Sequence, residues 1–416
     1  MNRAGLGFIF ATIFLDVVGI GIIIPIMPML LVEFVGGALS DAAYWVGVGL
    51  ATYTATQFLC APLLGALSDR YGRKPILVAA LLMDTLGYLG MGLAGSLGFF
   101  LLARAVGGAG GASLAVATTY INDVSTPEKR AQNFGLVGAA FGLGFIAGPA
   151  LGGLLGGVDL RFPFYAAAAV AGLNTLYGLF FLPESHPQDK RRAFQWADTN
   201  PLGWVAAVRK YPMVSSLAVA TFFSGLGMMC LHSNWVLYTN YKFQWTPAQV
   251  GGSLAVVGLC SAVVQGGLIR VLMPRVGERR AIVYGLGLSA VAMSAYALAT
   301  QGWMMYVILV FASLGGLAGP AIQAQLARVV PPAEMGLIQG ALTSLNSVTG
   351  VIGPLLGNAV FGYFTAPQAP VKVPGAAFFL GSLLAVVALV QTVRVFRRFP
   401  ERGAVPLGEA PIAQAE

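Results

Sequence analysis

Phe145-Ile146-Ala147-Gly148-Pro149-Ala150-Leu151-Gly152-Gly153 and Gly350-Val351-Ile352-Gly353-Pro354-Leu355-Leu356-Gly357 carry the same Gly-Pro pair 205 residues apart in a chain of 416. Both copies lie in apolar stretches long enough to cross a bilayer, which takes about 20 residues. The same shift pairs Gly72 with Gly277, Gly110-Gly111 with Gly315-Gly316, Pro127 with Pro332 and Gly135 with Gly340. One register that links a loop, two helices and a turn predicts two similar halves in tandem. Internal repeats of this kind are expected of transporters whose halves rock about a central site.

Composition supports a membrane protein. Hydrophobic residues make up 57% of the chain and charged residues 10%, against roughly 25% charged in soluble domains. The 55 glycines suit close helix packing in lipid, where small residues let backbones approach. Cys60, Cys230 and Cys260 are isolated, and His186 and His232 are the only histidines. That excludes disulfide or zinc spacing, so no metal and no cofactor are expected. The first apolar stretch contains Asp16, Pro25 and Pro28 and lacks a small-residue cleavage site, so it reads as a retained span.

Hydropathy gives twelve spans, at 6–31, 44–64, 75–95, 97–122, 133–156, 163–182, 213–237, 248–272, 281–300, 303–328, 336–362 and 375–396. The fold class is an all-α membrane protein: six spans in residues 1–182, a polar linker at 183–212, six spans in 213–396, and a tail at 397–416. With both termini in the cytoplasm, 20 of the 24 lysines and arginines fall at or near the inner face, as the positive-inside rule requires. The net charge of +8 is thereby explained by topology, and a nucleic-acid partner is not expected. Localisation is the cytoplasmic membrane, multi-pass, with the lipid bilayer as surroundings and a monomer as the expected state.

Ionisable residues inside a span are costly and usually face a cavity or a partner. Asp16 in span 1, Asp84 in span 3 and Arg104 in span 4 all fall near the midplane. An acid beside a cation gains or loses a proton as its surroundings change, so these three are the candidate proton-coupling residues. A static ion pair that fixes helix packing is the competing explanation. The second half has no acid in any span. Its polar span residues are His232, Asn234, Gln265, Gln323, Gln325, Asn346 and Ser347, with Trp235 and Tyr238 beside them. Together with Tyr53 and Gln57 of span 2, the set Asn234, Trp235, Tyr238, Gln265, Gln323 and Asn346 is expected to line a substrate cavity. Interhelical hydrogen bonding is the alternative for each one alone.

The loop Gly65-Ala66-Leu67-Ser68-Asp69-Arg70-Tyr71-Gly72-Arg73-Lys74-Pro75 joins spans 2 and 3. Gly65 permits close packing, Gly72 the turn and Pro75 a helix start. Asp69 and Arg73 are placed to pair across the turn, and Asp123 at the end of span 4 to join them. Such a cluster would latch one conformation; setting topology is the plainer role for Arg70, Arg73 and Lys74. In the second half Pro274 stands where Asp69 was and Arg270 where Gly65 was, so the latch is expected to have decayed there. Pro25, Pro28 and the pairs Gly148-Pro149 and Gly353-Pro354 are expected bend points.

These motifs resemble the major facilitator superfamily. The 65–77 loop is similar to its signature between spans 2 and 3. The Gly142–Gly153 stretch and Leu102–Gly111 with Arg104 resemble the span 5 and span 4 motifs of the twelve-span drug:proton antiporters. Asp16-Val17-Val18-Gly19-Ile20-Gly21 and the span 11 stretch from Gln339 to Leu356 resemble the bacterial tetracycline:proton antiporters. The resemblance implies a secondary active transporter and not an enzyme. It would export a small amphipathic, drug-like or tetracycline-like compound in exchange for protons, without a cofactor. Two places depart from the tetracycline antiporters, since span 3 carries its aspartate at Asp84, one turn before Tyr88, and the span 8 region reads Gly258-Leu259-Cys260-Ser261-Ala262; a relative of tetracycline, or several amphipathic compounds, is therefore expected as much as tetracycline itself. A proton-coupled uptake symporter on the same fold and a membrane sensor are the other classes to be tested.

Overall fold

The computed structural model describes residues 3–126, 130–191 and 210–400. Most of the linker, the tail beyond Pro400 and Pro127 of the repeat register lie outside them. The described chain is helical. Eleven helices are long and apolar enough to cross a membrane, or up to twelve if one bent pair counts as a span.

The bent pair is α1 (Arg3–Ile23) and α2 (Met27–Val35), inclined at 43°. Pro25 and Pro28 stand at this break, where expected, because proline lacks the N–H that would continue the helical ladder. α3 (Leu39–Tyr71) and α4 (Arg73–Leu93) follow, then α5 (Leu97–Gly110), α6 (Ser113–Val124), α7 (Arg130–Gly156) and α8 (Phe162–Phe181). α3 has 33 residues, about 50 Å at 1.5 Å per residue, against a hydrocarbon core of about 30 Å. Its last turns carry Ser68, Asp69 and Arg70, and hydropathy misses them because they run past the lipid.

The second half repeats this order. It comprises α9 (Pro212–Phe243), α10 (Pro247–Val263), a π-helical segment (Val264–Leu268), α11 (Ile269–Val276), α12 (Glu278–Leu298), α13 (Gly302–Ala312), a 3-10 segment (Ser313–Leu317), α14 (Ala318–Val329), α15 (Pro332–Thr365) and α16 (Ala376–Arg398). The repeat register holds in three dimensions. Gly72 and Gly277 each form a one-residue joint between helices, at φ +105° and +79° with ψ near 155°, a region only glycine enters readily. Gly110-Gly111 and Gly315-Gly316 each mark the point where the helical path changes, as a break between α5 and α6 and as the 3-10 segment between α13 and α14.

α7 and α15 run through Pro149 and Pro354 as unbroken helices. The expected bends are therefore absent as helix breaks, and the Gly-Pro pairs prove to be seams. Within the first half α1 packs on α7 and α8, and α4 on α5 and α8; within the second, α9 packs on α15 and α16, and α12 on α14 and α16. The halves meet through α3 against α15 and α7 against α10. A Cβ on Gly47 would come within 2.9 Å of the Pro354 carbonyl oxygen, one on Gly362 within 2.9 Å of Ser40 O, and one on Gly153 within 3.1 Å of Ala248 Cα. On the opposite stretches of the same helices, Gly65, Gly138, Gly142, Gly266, Gly267 and Gly340 have nothing within 4 Å of that position. The apolar core agrees. One cluster joins both halves at the first end, through Ile26, Phe100, Trp235, Tyr238 and Phe361. Separate clusters serve each half at the other, which bears the arginine-rich loops. The molecule is pinched shut at one end and splayed at its basic end.

Candidate functional site

The first half builds a polar cluster around the break in its fourth span. Small residues make this possible: a Cβ on Gly87 would lie 2.6 Å from Gly107 Cα, and one on Gly110 would lie 2.7 Å from Asp84 Cγ. α5 thus sits directly against α4. The break frees the Gly111 carbonyl, which accepts a 2.8 Å bond from Gln57 Nε2. Just past it, in the first turn of α6, Ser113 Oγ donates to Asp16 Oδ2 at 3.0 Å. Asp16 and Asp84 are close neighbours. Asp84 is 1% exposed, and neither of its oxygens has a hydrogen-bond partner. The Tyr53 and Tyr88 hydroxyls beside it are equally unpartnered.

Arg104 belongs to this cluster but not as the ion pair that its depth in the sequence suggested. It is 6% exposed, donates from Nε to the Gly49 carbonyl at 3.3 Å and stacks its guanidinium 4.5 Å over the Tyr53 ring. A desolvated cation over an aromatic face is held by the ring quadrupole. Among the described residues no salt bridge joins Arg104 to either aspartate, so it supports the acids at one remove, through Tyr53.

The charge cluster between α3 and α4 has the expected members. Arg73 pairs with Asp69 at 2.5 Å and with Asp123 at 3.0 Å, and donates to Ser68 Oγ at 2.7 Å. Its side chain is 5% exposed. Arg70 does not join; it lies 5.1 Å over the Tyr71 ring. Glu184, unforeseen from sequence, completes the group. Its carboxylate accepts from the Arg73 and Lys74 backbone N–H groups at 2.9 and 3.3 Å, capping a helix whose preceding Gly72 has no side chain to do so.

The second half corrects the expectation of a decayed latch. The 205-residue register puts Glu278 at the place of Arg73 and Arg328 at the place of Asp123. These two form a 2.7 Å salt bridge, and Gln325 donates to the other Glu278 oxygen at 2.6 Å. A charge pair persists there with its polarity reversed.

The neutral wall is divided. Gln265, Gln323 and Asn346 are exposed, and Gln323 is hydrogen-bonded to Gln339. Asn234, Trp235 and Tyr238 are packed away: Asn234 donates to Cys230 O at 2.9 Å, Trp235 Nε1 to Ser253 Oγ at 2.9 Å and Tyr238 to Tyr296 O at 2.6 Å. A solute between the halves does not reach them in this conformation. Gln265 lies in the π-helical turn, a distortion common at functional sites.

The family model described as Major Facilitator Superfamily matches residues 9–218 and again 217–414. The chain belongs to the Major Facilitator Superfamily. The tetracycline resistance protein of class C from Escherichia coli is 39% identical over 385 residues, covering 92% of this chain and 94% of that protein. The class E protein from Escherichia coli is 38% identical and covers 97% of both. Among solved structures, the human organic anion transporter MFSD10 superposes with a TM-score of 0.70 at 24% identity, over 94% of this chain and 99% of its own. The nucleoside transporter NupG gives 0.77 at 13% identity, over 95% and 100%. These similarities make the chain a multi-pass transmembrane transport protein of the facilitator class and not an enzyme.

Four residues of this facilitator give little signal in its sequence. Ser113 signalled itself only as a polar residue just after a Gly-Gly break. Glu184 lies in the polar linker, with no spacing that ties it to residue 73. The Glu278–Arg328 pair gives no sign in the repeat because its charges are reciprocal to those of Arg73 and Asp123 and not identical to them.

Proposed function

We propose that this facilitator exports small amphipathic compounds of the tetracycline kind across the cytoplasmic membrane in exchange for protons. It does so as a monomer of twelve spans in two six-helix bundles with both termini cytoplasmic. In that orientation the splayed basic end faces the cytoplasm, and the conformation is inward-open. The bundles would alternate by rocking on the Gly-Pro seams. The proton gradient, and no bound cofactor, supplies the energy.

The observation that carries this reading is the Asp16–Asp84 pair, with both Asp84 oxygens unpartnered at the break between α5 and α6. Two carboxyl groups in contact do not both stay ionised, so the pair holds a proton while the site is shut off. Ser113, in the first turn of α6, holds Asp16 through its hydroxyl. The pair therefore divides its work: Asp16, half-buried and hydrogen-bonded, is the member reached from the cavity, and Asp84 is the inner partner. A cationic or hydrogen-bonding group of the substrate that reaches Asp16 stabilises its ionised form and releases the shared proton. Substrate identity follows the relatives, which include tetracycline resistance proteins of several classes at 33–39% identity.

Everted membrane vesicles acidified inside test this directly. Wild-type protein should accumulate tetracycline as the gradient is imposed, and Asp84→Asn should not, while remaining folded in the membrane. Equal accumulation by Asp84→Asn removes the pair from the mechanism. Accumulation only with the gradient reversed establishes the uptake symporter, and binding without flux a sensor.

A further inference from the structure

We infer that His232 is a substrate contact of the second half, its ring N–H donating to an acidic oxygen of the transported compound, and that the compounds carried are zwitterionic amphiphiles. The inference rests on the export reading above, in which Asp16 meets the basic end of the substrate. Between Ala220 and Thr239 of α9, His232 is the one exposed residue. Its ring has no hydrogen bond, ion pair or ring contact among the described residues. Protein nevertheless crowds around it closely enough to desolvate it, which places it on an internal wall and not on the lipid face.

Its direction follows from its neighbours on the helix, which turns about 100° per residue. Met229, about 60° to one side of His232, packs on Gly353 of α15. Trp235, about 60° to the other side, donates to Ser253 of α10. Gly227, on the far side, backs onto Gly381 of α16. His232 thus points between α15 and α10, the two helices through which the second half meets the first. The space it enters lies between the halves. There α9 also meets α3, the helix of Tyr53 and Gln57.

Depth divides this space by charge. His232 stands 11 residues from the end of α9 at Phe243, and Gly49 ten from the start of α3 at Leu39; both ends pack on the cluster that closes the molecule. Each residue therefore lies about 15 Å from the shut end. Arg104, bonded to the Gly49 carbonyl, brings a cation to the same level. Ser113, which holds Asp16, follows Arg104 by nine residues, about 14 Å nearer the basic end. The roof favours negative charge, and the level of the aspartates favours positive charge. A histidine ring keeps an N–H in both protonation states, so it can donate to an enolate, phenolate or carboxylate whether or not it is charged. A compound lying along the cavity, with an acidic oxygen at His232 and a basic nitrogen at Asp16, satisfies both ends.

Equilibrium binding to the purified full chain in detergent tests the contact, with two probes. Tetracycline carries a dimethylamino nitrogen and acidic enol oxygens; tetraphenylphosphonium is a lipophilic cation without an acidic oxygen. His232→Ala and His232→Phe should each weaken tetracycline binding roughly 10-fold, the loss of one hydrogen bond to a charged group, and leave tetraphenylphosphonium binding unchanged. His232→Gln, which keeps an N–H donor, should retain most of the tetracycline affinity. His232→Phe keeps the bulk of the ring, so its loss of affinity at an unchanged melting temperature separates the hydrogen bond from packing. Unchanged tetracycline affinity in the Ala and Phe variants overturns the proposal. So does an equal loss for both probes, which would assign His232 to the shape of the cavity. Wild-type protein that binds tetracycline but does not carry it across vesicles would refute the export reading and leave the His232 comparison standing.

Discussion

The two charge pairs occupy the same register with opposite polarity and unequal burial, and their energies should differ accordingly. Arg73 is 5% exposed and holds Asp69, Asp123 and Ser68. Truncating it to Ala strands the buried Ser68 hydroxyl and leaves Asp69 and Asp123, 45% and 22% exposed, without their cation, a loss of about 3 kcal/mol, the low end for breaking a buried pair because both carboxylates regain water. Arg328 is 66% exposed, so its loss should cost about 0.2–1 kcal/mol, as for surface pairs. Glu278 is intermediate. It is 17% exposed and also accepts from Gln325, which is buried; Glu278→Ala strands that amide and should cost about 1–3 kcal/mol. The order Arg73 > Glu278 > Arg328 can be read from thermal unfolding of the purified variants in detergent. Charge reversal sharpens the test. Glu278→Arg with Arg328→Glu should recover the salt bridge and most of the Arg328 contribution, with Gln325 turning its amide oxygen toward the new cation. Arg73→Asp with Asp123→Arg should not recover, because Asp69 would then face a like charge. If Arg328→Ala destabilises as much as Arg73→Ala, burial is not what separates the two pairs; if both swaps recover equally, Asp69 is not an essential member of the first.

Other expectations follow from the same geometry. Gly87→Ala places a methyl 2.6 Å from Gly107 Cα and should cost about 1–3 kcal/mol as overpacking, with loss of transport. Gly107→Ala meets only ordinary contacts at 3.7 Å and should be tolerated; thermal melts and efflux assays on the pair decide. Outside the apolar stretch Ile338–Thr365, hydrogen bonds from Lys210 and then Tyr211 hold the Glu334 carboxyl below its ordinary 4.5. A depressed carboxyl contributes above its unfolded value and loses that contribution as pH falls through the folded one. The difference in melting temperature between wild type and Glu334→Gln should therefore shrink below pH 4.5 and hold steady above it. Ser113→Ala removes the donor to Asp16 and should shift the pH profile of efflux, whereas a purely structural serine would lower the rate equally at every pH.

Much of the architecture was legible because lipid enforces it. A helix must satisfy its own backbone in hydrocarbon, so apolar stretches of bilayer length announce themselves. A glycine joint at positive φ, as at Gly72 and Gly277, leaves no choice of residue. Asp16, Asp84 and Arg104 could be grouped by depth alone. What depth does not give is azimuth. Helical periodicity fixes the angles among Asn234, Trp235 and Tyr238 but not which way the set points, and packing turned all three toward neighbouring helices. Arg104 met Tyr53 and not a carboxylate for the same reason. Cavity and neighbour both accept a polar tip, and only tertiary contacts distinguish them. The Gly-Pro pairs show a further limit: proline in a span signals a bend, whereas the glycine beside it sets how closely two helices approach.

Exchange as proposed requires that Asp16 and Asp84 hold the proton. Purified wild-type protein mixed with tetracycline in weakly buffered solution containing a pH indicator should release protons as it binds. Asp16→Asn and Asp84→Asn should bind, or fail to bind, without any release. Undiminished proton release from both variants, at matched occupancy, would contradict the central claim.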